Sequence, residues 1–320
     1  MKLFDAHCDT LYEGCLKNIP LLDGILNISL ERGLSYAPWC QVFAIFIPDE
    51  LHGDEALKHF DRCRDYLEEQ MAECRSLMRL CRTAEDMREA ARTGQCAAIL
   101  SVEGGAAVGG KLERLRYLYD RDVRLLTLTW NGRDEIADGV LVPDAGGLTP
   151  FGYEAVELCQ ELGIVVDVSH LAEKGFWDVE GCMRLPYVAS HSNAKPVCGH
   201  VRNLTDRQFE AIRNRRGLVG LNFCPAFLRD GEDSVDGEGY ATMEDIEHHL
   251  AHFLALGGED VVCLGTDFDG APMPQGVRGI EDLERLYLFL EDKGYSKRLL
   301  DKVFFQNGWD FFQNALTGGL

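Results

Sequence analysis

No apolar run in the 320-residue chain reaches the roughly 18 residues that a membrane-spanning helix needs. The first residues also lack a basic region followed by an apolar core, so no secretory leader is expected. Positive charge is scarce, with 32 Lys and Arg against 53 Asp and Glu and a formal net charge of −21. Such a chain repels a phosphate backbone, whose counterions must be displaced by cations, and nucleic acid is excluded as a partner. C-x-x-C pairs are absent too: the twelve cysteines are scattered, and Cys96, Cys159 and Cys263 lie inside apolar runs. They read as reduced, packed thiols of a cytoplasmic protein. Internal repeats and low-complexity linkers are missing, which leaves one domain over residues 1–320.

What the chain does contain is material for a core, with 46% apolar residues, 27% charged residues and 33 glycines. Short β-rich runs alternate with helical patterns, the signal for parallel βαβ units. Eight candidate strands start at Leu3, Gln41, Cys96, Val123, Gly163, Pro186, Gly217 and Asp260. Eight strands close a barrel, so the expected fold class is α/β, a single (β/α)8 TIM barrel. Amphipathic patterns predict helices over 56–80, 150–162, 206–215, 243–256, 280–292 and 296–313. The segments 11–39 and 229–240 exceed what a minimal barrel needs, and since both follow strands they are expected over the mouth.

In this architecture catalytic groups sit at the carboxyl ends of the strands. His7 and Asp9 end the first candidate strand, Glu103 the third, His170 the fifth, His191 the sixth and Asp267 the eighth, with Asp269 just beyond. Alternation along a strand points His7 and Asp9 the same way, about 6.6 Å apart, and turns Cys8 to the other face. Taken singly, each residue has an ordinary structural reading: a histidine satisfied by a neighbouring carboxylate, a solvated loop glutamate, a hydrogen-bonded core histidine. Recurrence of five ligand-type residues at one end of four strands favours a common ion site. Nitrogen and carboxylate donors without thiolate suit Zn²⁺ first, with Mn²⁺, Co²⁺ or Fe²⁺ also compatible. Five ligands exceed the needs of one ion but fit two that share a carboxylate and hold a hydroxide between them. Glu103 is the natural bridge, with His7 and Asp9 on one ion and His170 and His191 on the other.

With those residues in place, the chain resembles the membrane (renal) dipeptidases, peptidase family M19. The likeness runs in order through "FDAHCD", "SVEGG", "LTLTWN", the segment from Leu148 to His170, "ASHSNA", the "RN" at Arg202 and "GTDFDG". It implies an amidohydrolase-type barrel with two zinc ions, and His7, Asp9, Glu103, His170 and His191 as ligands. Dipeptides are the implied substrates, including some with a D-residue at the second position, and a homodimer is an implied assembly. Asp267 matches the family's catalytic acid, which can take a proton from the attacking water and return it to the departing amine. Arg202 matches the clamp for the terminal carboxylate, a task suited to a planar guanidinium. Vertebrate members carry a histidine after "LTLT"; here Trp130 stands there, followed by Asn131, both expected at the substrate. An indole donates one hydrogen bond but carries no proton, so polarisation of the substrate would rest on the metals.

Rival readings weigh less on the residues. A TatD-type nuclease and other amidohydrolases, such as deaminases or lactonases, show H-x-H where this chain has His7 and Asp9, and the latter often use a carboxylated lysine that no strand end here supplies. An inactive metal-binding barrel requires a broken ligand set, whereas this one is complete.

Overall fold

The computed structural model describes residues 1–22, 24–231 and 240–317. Among the described residues nine strands run in chain order: β1 Leu3–Asp5, β2 Trp39–Phe46, β3 Met78–Leu80, β4 Cys96–Glu103, β5 Val123–Thr127, β6 Val165–Asp167, β7 Val188–Ala189, β8 Leu218–Leu221 and β9 Val262–Leu264. Every pairing is parallel, and β1 pairs with both β2 and β9 while β2 pairs with β4, so eight strands close on themselves. All eight expected strands belong to this barrel, which confirms the (β/α)8 class. The ninth, β3, lies beside the lower half of β4 through the register Met78↔Cys96 to Leu80↔Ala98.

Parallel strands covered on both faces read as continuous apolar runs, and each barrel strand here is buried almost throughout. Its two faces separate cleanly. A cluster inside the barrel takes a residue from every barrel strand, including Phe4, Val42, Ile99, Leu125, Val165, Val188, Leu218 and Cys263. The C-terminal helix Asn307–Ala315 adds Phe311 and Phe312 to that cluster. Cys96, Ala98, Leu100 and Val102 of β4 join instead the larger cluster under the surrounding helices. The inward phase of β4 is therefore 97, 99, 101 and 103, which carries Glu103 to the top of the barrel interior. Register sets its neighbours, because Phe46, Glu103, Thr127 and Asp167 are consecutive partners across β2, β4, β5 and β6.

One expectation changes. The helix anticipated over 56–80 spans Gly53–Glu73 and ends at Cys74, after which Met78–Leu80 forms β3. Pairing with β4 outweighs a helical pattern that continues past Cys74. The segment 11–39 overlaps the helix α1, Thr10–Lys17, and holds the short helix Leu30–Gly33. It does reach the mouth, where the Asn27 N–H donates to Asp269 Oδ1 at 2.7 Å. Of the stretch 229–240, positions 232–239 lie outside the described residues. No helix among the described residues is long and apolar enough to cross a membrane.

Candidate metal centre

The strands stop short of the site, and the turns after them aim the side chains. His7 and Asp9 follow β1; Cys8 between them packs into the outer cluster while Phe4 and Ala6 face inward. The phase thus slips by one residue after Ala6, and both His7 and Asp9 turn toward the mouth. His170 at φ 67°, Asp267 at φ 61° and Asp269 at φ 67° all adopt the left-handed conformation. Non-glycine residues rarely take it, and they keep it where surrounding contacts over-determine the turn. Here the Val140 N–H donates to the His170 carbonyl at 2.8 Å, the Asp267 N–H to the His7 carbonyl at 3.2 Å and the Asp269 N–H to Asn27 Oδ1 at 2.7 Å.

Glu103 lies at the centre, with its two oxygens divided between two sets of partners. Oε2 is 3.6 Å from His7 Nε2, which is also 3.4 Å from Asp9 Oδ2 and 3.7 Å from Asp267 Oδ1. Oε1 is 2.8 Å from His170 Nε2 and 3.3 Å from His191 Nε2, and those two nitrogens are 3.0 Å apart. All six side chains are buried. Metal–nitrogen bonds of about 2.0–2.1 Å put two ligands of one tetrahedral ion about 3.3 Å apart, so these separations suit ion binding. His7, Glu103 and His191 offer atoms within 4.8 Å of one another, as do His7, Asp9 and Asp267.

Hydrogen bonds behind the histidines fix which nitrogen faces inward. His170 Nδ1 meets Asn131 Oδ1 at 2.9 Å, an acceptor that requires the proton on Nδ1 and leaves Nε2 bare. His191 Nδ1 meets Ser190 Oγ at 2.7 Å, and that hydroxyl donates to Asp167 Oδ2 at 2.5 Å. Asp167 also accepts from Thr127 Oγ1 at 2.7 Å and from the N–H groups of Ser169 and Ser190. Asn222 Nδ2 donates to Asp267 Oδ2 at 2.9 Å, turning Oδ1 toward His7. Asp9 Oδ1 and His7 Nδ1 are buried without a hydrogen-bond partner among the described residues. Buried polar atoms are rarely left in that condition, and a cation beside Asp9 Oδ1 would satisfy that oxygen.

Electrostatics agree. Burial holds His170 and His191 well below the ordinary imidazole value, with Arg202 adding to both, so they stand neutral as ligands must. Burial would also depress His7, but Glu103, Asp9 and Asp267 outweigh it and push His7 up to about 10. Burial drives Glu103 and Asp267 upward, opposed by His7. His7 must give up its extra proton to ligate an ion, and the donor set, with carboxyl groups from Asp9, Glu103 and Asp267 around it, fits divalent ions. Gly270 leaves room for them, since a Cβ there would lie 2.1 Å from Asp9 Oδ2 and 2.6 Å from Asp267 Oδ1. Gly270→Ala is therefore expected to fold but to bind metal about 10- to 100-fold more weakly. Equilibrium dialysis against Zn²⁺ checks this, and unchanged affinity contradicts it.

A cavity of about 600 Å³ opens above the cluster, walled by Tyr12, Phe46 and Trp130 and floored by Asp9, Glu103 and Asp267. Phe46 meets Tyr12 and Trp130 edge-on, with centroids at 5.1 and 4.8 Å. Arg202 lines a wider outer cavity of about 1260 Å³ together with Glu13, Trp130, His200 and Phe227. Its guanidinium lies 5.4 Å over the Phe227 ring and donates through Nη2 to the His191 carbonyl at 3.3 Å. Its buried Nε has no partner among the described residues. All nine residues singled out in the sequence thus meet at this mouth. Asn131 does so through His170 as well as the cavity wall. Asp269 serves structure, accepting from Thr10 Oγ1 at 2.5 Å and from the Asn27 N–H. Asn222 and Asp167 went unremarked in the sequence; Asn222 directly follows β8, the position that marked the others.

Asp134 joins the Glu103 turn to the Trp130 loop by accepting from the N–H groups of Gly105, Ile136 and Ala137. Burial outweighs these bonds and raises it from 3.8 to about 7. A carboxyl raised on folding gives stability that is complete below its unfolded value and is lost as pH climbs through its folded one. Across pH 3.8 to about 7 the wild type should therefore lose thermal stability relative to Asp134→Asn. Melting curves of both proteins check this, and a pH-independent difference contradicts it.

Comparison with known proteins gives a consistent picture. The family model described as membrane dipeptidase (peptidase family M19) matches residues 1–315. An uncharacterized Klebsiella pneumoniae protein from the pqqA 5' region is 36% identical over 256 residues, 78% of this chain and 93% of that one. The crystal structure of a metallo peptidase, dipeptidase AC of family M19, superposes with a TM-score of 0.91 at 32% identity, covering 100% of this chain and 99% of that one. A metallo peptidase from Rhodobacter sphaeroides, liganded with a phosphinate mimic of the dipeptide L-Ala-D-Ala, gives 0.90 at 31% identity over 98% and 99%.

Proposed function

The chain belongs to the membrane dipeptidase family, peptidase family M19, and from that premise we propose that it hydrolyses the peptide bond of dipeptides at a binuclear metal centre bridged by Glu103. The observation that carries this reading is the division of the Glu103 oxygens, Oε2 toward His7 and Oε1 toward His170 and His191. His7 and Asp9 would hold one divalent ion and His170 and His191 the other, with Zn²⁺ best suited to the donors. When bound, such ions supply a Lewis acid for the scissile carbonyl and lower the pKa of water.

The chain's own groups do the rest. Asp267, held at Oδ2 by Asn222, keeps Oδ1 free beside the cluster to take a proton from the attacking water and pass it to the leaving amine. Asn131 and Ser190 keep His170 and His191 in the tautomer that presents Nε2. Tyr12, Phe46 and Trp130 shield the site from bulk water, which strengthens each charge interaction within it. Arg202 would receive the substrate's C-terminal carboxylate, a reading supported by its buried Nε, which has no hydrogen-bond partner among the described residues. The phosphinate mimic of L-Ala-D-Ala bound to the Rhodobacter sphaeroides relative supports acceptance of L,D dipeptides.

Zinc-reconstituted protein assayed on a panel of L,L and L,D dipeptides tests the reading, and failure to hydrolyse any of them contradicts it. Arg202→Ala should lower kcat/KM about 10- to 100-fold for dipeptides with a free carboxylate and much less for their methyl esters. An equal loss on both contradicts the clamp.

A further inference from the structure

Resting on the dipeptidase reading, we propose that Glu13 receives the positive charge on the substrate's N-terminal residue and so selects dipeptides whose amine is unblocked. A dipeptide is a zwitterion, and Arg202 accounts for only one of its charges. Of the acids lining the inner cavity, Asp9, Glu103 and Asp267 face the ion cluster. Asp269 is engaged by Thr10, Asn27 and Ile28. Glu13 remains, and it lines both the inner and the outer cavity.

Position suits Glu13 to this role. Its N–H donates to the Asp9 carbonyl at 2.9 Å, so it stands one turn of α1 outward from Asp9. Residues four apart on a helix share a face, with Cβ atoms about 5–6 Å apart. A carboxylate thus sits one helical turn outward from the cluster, beside β1. Arg202 follows β7, three strands round the ring from β1. An anion at Arg202 and a cation at Glu13 would lay the dipeptide across the mouth in one direction, with its amide above Glu103.

Its current partner does not stand in the way. Glu13 pairs with Lys17 one turn along α1, and the Lys17 side chain is 60% exposed. Exposed i,i+4 pairs contribute little, so a substrate cation can displace it. That cation can be the α-ammonium or a cationic side chain on the same residue, and the two are separable by substrate.

The test is steady-state kinetics of zinc-loaded wild type, Glu13→Gln and Lys17→Ala on Ala-Ala, Arg-Ala and N-acetyl-Ala-Ala. Glu13→Gln should raise KM for Ala-Ala about tenfold or more, leave kcat and zinc content nearly unchanged, and erase the wild-type preference over the acetylated substrate. Lys17→Ala should leave KM unchanged or lower it. A loss confined to Arg-Ala overturns selection by the unblocked amine and leaves Glu13 a partner for a side-chain cation only. Unchanged KM for both free-amine substrates overturns the inference while leaving the dipeptidase reading intact. A wild type inactive on every dipeptide overturns both.

Discussion

Glu103→Gln is expected to lose metal and activity together, with kcat/KM falling about a thousandfold or more, because metal ions supply several kcal/mol of transition-state stabilisation. Glutamine keeps the shape of the side chain but removes its charge and turns one acceptor into an amide donor. In the wild type one oxygen is 2.8 Å from His170 Nε2 and the other 3.6 Å from His7 Nε2. Whichever way the amide is turned, its NH2 points at one of the two ligand sets. The metal-free variant should still fold, since the change removes a buried carboxyl that desolvation already disfavours as an anion. Ligand-linked stability separates metal loss from misfolding. At zinc concentrations near 100 times Kd the wild type gains about 2.7 kcal/mol, whereas the variant should gain almost none. Metal analysis, melting curves with and without zinc, and dipeptide hydrolysis together check the claim. A variant that retains two ions contradicts the bridge.

Asp267→Asn is the complementary case, expected to keep its metal while kcat falls about 10²- to 10⁴-fold, the usual contribution of a positioned acid–base group. Asparagine can still accept from Asn222 through its carbonyl, so the side chain should stay in place. It cannot take up a proton. The outcome is informative because His7, Asp9 and Asp267 also cluster within 4.8 Å, an arrangement in which Asp267 could itself ligate an ion. Loss of metal in the variant would assign it that role. Retained metal with retained turnover would remove Asp267 from the chemistry.

Much of this was legible because of how a parallel barrel is built. Strands covered on both faces must be apolar along their length, so a run such as "CAAILSVE" declares itself, and a carboxylate at its end stands out. The same rule exposed His7, Asp9, His170, His191 and Asp267. What stayed hidden depends on pairing or on contacts distant in sequence. Met78–Leu80 carries no local mark that separates it from the helix before it, and only β4 makes it a strand. Asn222 and Asp167 act through Asp267 and Ser190, 45 and 23 residues away, contacts invisible to periodicity. Glu13 lies on a helix inside a segment to which the sequence reading assigned no element. Asn131, expected at the substrate, is also tied to His170, a bond that required the fold to bring positions 39 residues apart together.

Anomalous diffraction at the zinc edge, from crystals of the zinc-reconstituted protein, tests the central claim most directly. The account predicts two peaks roughly 3.5–4 Å apart, one bonded to each oxygen of Glu103. A single peak, or a pair that does not touch Glu103, would contradict it.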